Sequence, residues 1–203
     1  MTFDKLPFNW FDLLLVVVIA LGIRRGRKNG MSEELVGMLT WLAIAVGCAI
    51  IYEPLGTALS QSSVFSLLSS FLMVYISAAV LIAVLFTWVK KSLGGKLVGS
   101  DVFGSSEFYL GMVAGTVRLS CILIAVLALL NARGYTAAEI KADQKVQMEL
   151  YGSNFFPSLY EVQGQVFNKS LTGPWIKRQL SFLLIKSTPP EHKEIKRKEF
   201  ATP

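Results

Sequence analysis

The chain has 203 residues, of which 53% are hydrophobic and only 17% charged, against the roughly 25% charged residues usual in soluble domains. Its mean hydropathy is +0.51. The net charge of +6 does not indicate nucleic acid, because the lysines and arginines flank apolar runs, where they act as membrane-surface anchors. The composition is that of an integral membrane protein and argues against a soluble enzyme or a nucleic-acid-binding domain.

The N-terminal segment carries one lysine, Lys5, against Asp4 and Asp12. It has neither the basic n-region nor the small-residue cleavage site of a secretory leader, so no cleavable signal is expected. The first apolar run, 8–23, is short and contains Asp12. Trp10 and Phe11 would anchor one end, and Arg24 and Arg25 can snorkel at the other. The loop that follows is basic, with Arg24, Arg25, Arg27 and Lys28, and is spaced by Gly22, Gly26 and Gly30. Glycines four apart form one helical stripe and let two helices approach closely. Each also weakens a helix by about 1 kcal/mol relative to Ala, so this stretch reads either as a packing stripe, continued by Glu34, or as a break.

The second run, 35–52, contains Cys48, and the third, 64–89, is long enough to tilt. Serines 60, 62, 63, 66, 69, 70 and 77 enrich its outer end, suited to interhelical hydrogen bonds. The segment 53–63 has no Lys or Arg, whereas Lys90, Lys91 and Lys96 follow the third run. The positive-inside rule therefore predicts a cytoplasmic location for the first and third loops, with both termini extracytoplasmic.

The fourth run, 108–130, has Arg118 as its only formal charge. A charge at that depth is costly and requires a partner or water. Glu107, Gly111, Gly115 and Arg118 share one face of the helix, with Arg118 about 16 Å along the axis from Glu107. Depth matching favours Asp12 as its partner, about 21 Å from the cytoplasmic end of its own span, with Glu34 as the alternative. Such a pair either fixes packing, the more frequent role of buried charge pairs, or lines a solute or ion path.

The tail from 132 to 203 reads as a polar helix over 137–150, an aromatic patch at 155–160 and an amphipathic helix over about 174–186, which either lies at the membrane interface or packs on the transmembrane bundle or on another subunit. Trp175 follows Pro174, and Lys177, Arg178 and Lys186 supply the basic residues. A disordered end is expected after Pro190. Cys48 and Cys121 both lie in apolar runs and read as small hydrophobes in helix packing. With one histidine, His192, and no nucleophile motif, a Ser-His-Asp triad is excluded. No metal-ligand spacing or phosphate loop is present, so no cofactor, no metal and no enzymatic activity are expected.

Residues 8–131 resemble the colicin V production protein family. The resemblance rests on Asp12, on Gly30 with Glu34, on Thr40-Trp41, and on the series Glu107, Gly111, Gly115 and Arg118. It implies an all-α bacterial inner-membrane domain of four helices over 1–131 that takes part in producing or exporting a peptide toxin. The expected role is a non-enzymatic accessory or scaffold, acting in the lipid bilayer through a membrane-protein partner or by self-association. A small oligomeric channel or transporter using Arg118 and an acidic partner is the alternative.

Overall fold

The structure, a computed structural model, describes residues 9–61, 65–98, 103–151 and 158–189. Ser62, Ser63, Phe155, Phe156 and Pro157 of the aromatic patch, and the end expected to be disordered lie outside these. Among the described residues every regular element is helical, with one isolated bridge between Arg133 and Thr188. The elements are α1 (Trp10–Ser60), α2 (Leu67–Val98), α3 (Glu107–Asn131), α4 (Ala137–Tyr151), α5 (Leu159–Gly164) and α6 (Gly173–Gln179). Three of them, α1, α2 and the segment ending in α3, are long and apolar enough to cross a membrane. Only 28%, 17% and 33% of their most apolar windows are buried within the chain. The remaining apolar surface, including Leu13, Val80, Leu81 and Trp88, requires a hydrocarbon solvent.

Helix α1 starts from a capping box. The Asn9 side chain accepts from the Trp10 amide at 2.7 Å, and Asp12 accepts from the Asn9 amide at 3.1 Å, satisfying amides that lack partners in the first turn. The helix does not pause at the basic segment, as the separate apolar runs would suggest; residues 24–29 are helical. The break falls at Gly30, whose φ of 75° and ψ of 173° are non-helical and accessible essentially only to glycine.

This break reverses the chain and divides α1 into a first arm, 10–29, and a second arm, 31–60. Asn9 donates to the Gln165 carbonyl, and Gln163 in turn donates to Leu130 and Arg133. Tyr52, near the other end of α1, donates to the Leu184 carbonyl, while Asn131 donates to Ile185. Both ends of α1 therefore meet the tail beside the C-terminal end of α3. Helix α2 runs back along the second arm, with Gly56 against Phe71 and Gly47 against Ile82.

The core lies at this tail end, where Phe11, Tyr52, Phe71, Leu127 and Ile185 belong to one cluster. Tyr52 and Phe71 meet edge to face, with ring centroids 5.4 Å apart. The tail is docked onto the bundle, not simply laid beside it. Helix α4 occupies the range expected from sequence, with Thr136 and Glu139 forming a reciprocal cap. The amphipathic segment is shorter: α6 ends at Gln179, a 3₁₀ turn covers Ser181–Leu183, and Leu183, Leu184 and Ile185 turn into the core. Trp175 and Phe182 remain exposed. Lys186 pairs with Glu53, whose hydrogen bond holds the ammonium above the ordinary lysine pKa.

Candidate functional site

The two glycine stripes found in the sequence meet. A Cβ on Gly26 would fall 1.9 Å from the Gly111 carbonyl oxygen, and one on Gly115 would fall 2.4 Å from that of Gly22. The first arm of α1 and α3 are thus in backbone contact, which only glycine at these positions permits. The pairing proceeds from Gly22 with Gly115, through Gly26 with Gly111, to Gly30 beside Glu107. The two helices are therefore antiparallel. Glu107 closes the seam at the hinge, its side chain filling the space that a Cβ on Gly30 would need.

Beyond the hinge, four residues into the second arm, lies Glu34. Its side chain is 1% exposed. Oε2 accepts from Arg118 Nη1 at 2.7 Å, and Oε1 accepts from Arg25 Nε at 3.0 Å and from Asn29 Nδ2 at 2.6 Å. Side chains on a helix lean toward its N-terminus, so the Arg118 guanidinium reaches back along α3 toward the hinge. It passes so close to Gly37 that a Cβ there would lie 2.8 Å from Nη1. One carboxylate thus joins three segments: the first arm through Arg25 and Asn29, the second through Glu34 itself, and α3 through Arg118. The cluster of one acid and two bases carries a net charge of +1. A buried carboxylate of this kind stays charged only because it is fully hydrogen-bonded.

Asp12 is not the partner of Arg118. It sits at the opposite end of the first arm, 2% exposed, where Oδ2 accepts from the Leu171 amide at 3.0 Å. Its Oδ1 accepts from the Thr172 amide at 3.1 Å and from the Thr172 hydroxyl at 2.7 Å. Depth matching failed because these tail donors lie 159 and 160 residues away in sequence and supply what a buried carboxylate needs. Arg25, Asn29 and Gly37 escaped the sequence reading. Arg25 sits among residues sufficient for topology alone, and only the hinge brings 25 and 29 to face 34. Among the described residues, no group of three His, Cys, Asp or Glu could hold a metal ion.

The profile of the colicin V production protein family matches residues 11–178. The match spans both arms of α1, the hinge, the Glu34 cluster and the loop docked on Asp12. The chain belongs to the colicin V production protein family. Family membership and the long apolar helices make it a membrane protein. The family match runs beyond Asn131, where the sequence resemblance stops, through the docked tail and into α6. No curated protein and no solved structure matches the chain.

Proposed function

We propose that this colicin V production family protein is a non-enzymatic accessory of the bacterial inner membrane that acts through partner proteins in toxin production or export. Each arm of α1 crosses the bilayer. The first arm is apolar for about 21 Å over residues 10–23, with Arg24 and Arg25 snorkelling to the cytoplasmic interface, and 31–60 spans about 45 Å, against a hydrocarbon core of about 30 Å. With α2 and α3 this gives four crossings. The basic residues 24–28, with Lys90 and Lys91, lie on the cytoplasmic side, and Asn9 and the docked tail lie outside.

The observation that carries this reading is how the intramembrane charges are used. Both oxygens of Glu34 are engaged by three donors, beside a glycine seam too close to admit a Cβ. Charges placed this way fasten helices together and leave no conduit along that seam. The apolar surface of α2 and of the first arm is free for the bilayer and for other membrane proteins.

Extraction of the full chain into native nanodiscs, followed by mass analysis, tests the proposal. A stoichiometric second protein is expected. A homo-oligomer without a partner, with ion or solute flux that changes on Arg118 substitution, would overturn it in favour of the small channel.

A further inference from the structure

Below α6 lies an apolar groove of about 180 Å³. The first arm contributes Leu15 and Ile19, α3 contributes Leu123 and Leu127, and Trp175 and Ile176 of α6 roof it; Ser120 is the one polar residue in its lining. Its walls are held by different parts of the fold, the residues just before α6, Leu171 and Thr172, being tied to the first arm through their hydrogen bonds to Asp12. An apolar pocket of this kind does not hold water. Next to lipid, what fills it is hydrocarbon. The roof has the residues of a membrane surface: Trp175 is 60% exposed, and Arg178, three residues on, shares its helix face. No acidic residue occurs in 173–189, and the nearby Asp12 is saturated with hydrogen bonds. Lys177 is turned away, its ammonium 5.7 Å from the Phe167 ring centroid.

We infer that this groove binds one acyl chain of an anionic phospholipid, with Arg178 contacting the headgroup phosphate. The inference rests on the proposed topology, which sets α6 at the bilayer surface. The groove distinguishes the site from ordinary lipid contact: Trp88 and Lys91 near the end of α2 also set an exposed ring beside a cation, but the hollow there is lined only by Trp88, Lys91 and Ser92 of that one helix.

The test uses the full chain with Trp10, Trp41 and Trp88 changed to Phe, leaving Trp175, in phosphatidylcholine vesicles. Brominated phosphatidylglycerol or brominated phosphatidylcholine is titrated in, and Trp175 quenching is read. The phosphatidylglycerol probe is expected to bind about five-fold tighter, the effect of one basic side chain at an anionic surface. The preference should vanish in Arg178→Gln, and Leu123→Phe, which fills the groove, should weaken quenching by both probes. Equal quenching by the two probes overturns the site, as does a preference that survives Arg178→Gln or quenching unchanged by Leu123→Phe. Absence of quenching by either lipid overturns the site and the interfacial placement of α6 together. Native mass spectrometry of the unsubstituted chain from an equimolar mixture of the two unbrominated lipids gives a readout independent of the tryptophan changes. Retained phosphatidylglycerol supports the site, and equal retention contradicts it.

Discussion

Glu34 and Arg118 lie 84 residues apart and meet at 2.7 Å between the second arm of α1 and α3. Arg25 joins them from the first arm at 3.0 Å. The pair spans the fold at the level of the hinge, and the tail closes the opposite end through Asp12 and Tyr52.

The glycine seam is expected to reject even one methyl group. Gly26→Ala places a Cβ 1.9 Å from the Gly111 carbonyl oxygen, so two backbones must separate. A loss of about 3 kcal/mol or more is expected in reversible unfolding from mixed micelles, at or above the upper end for overpacking. Gly164→Ala is the control. Its φ is −63° and nothing lies within 4 Å of the added Cβ, so stability should hold or rise by up to about 1 kcal/mol.

Gly30→Ala should cost about 1–3 kcal/mol from backbone strain alone, with a further penalty because the new Cβ would lie 2.8 Å from Glu107 Oε1. Combining it with Glu107→Ala relieves the clash and leaves the strain. The double variant should therefore recover part of the stability lost by the single one.

Asp12→Asn should release the tail while the bundle stays folded. Charge-assisted hydrogen bonds contribute about 1.5–3 kcal/mol each, so a local loss of about 2 kcal/mol corresponds to roughly 30-fold faster amide exchange over 170–173. Amides of the seam at 111–118 should keep their protection. Hydrogen exchange followed by mass spectrometry reads both regions in one experiment.

The topology is checked with single cysteines. Cys48 and Cys121 are buried and should stay unlabelled. Lys28→Cys and Lys91→Cys should react with an impermeant maleimide only after the cells are opened, and Ser187→Cys in intact cells. Labelling of Lys28→Cys and Ser187→Cys from the same side would contradict an odd number of crossings between the first-arm loop and the tail.

Much of the arrangement was legible in the sequence because it depends on local chemistry. The spacing of Gly111 and Gly115 marked one packing stripe, that of Gly22, Gly26 and Gly30 marked a stripe or a break, of which the structure holds both, and the isolation of Arg118 in an apolar run demanded a partner. The identity of that partner was not legible. Depth along straight helices favoured Asp12, but Arg118 leans toward the start of α3, and the Gly30 turn brings Glu34 to meet it. Asp12 had no visible claim on residues 171 and 172, since a backbone amide carries no sequence signal. For Leu183, Leu184 and Ile185 the sequence left interfacial placement and docking on the bundle open, because in composition an apolar run docked on a bundle equals one lying in lipid; the structure buries them.

The most direct test of the account is a double-mutant cycle on Glu34→Gln and Arg118→Gln, with unfolding free energies measured in bicelles. Removing one partner of a buried pair costs about 3–5 kcal/mol. The expected result is two strongly destabilised single variants and a double variant no worse than either, a coupling of about 2 kcal/mol or more. Single effects that simply add, within about 0.5 kcal/mol, would mean that the two charges do not hold α1 and α3 together and would contradict the account.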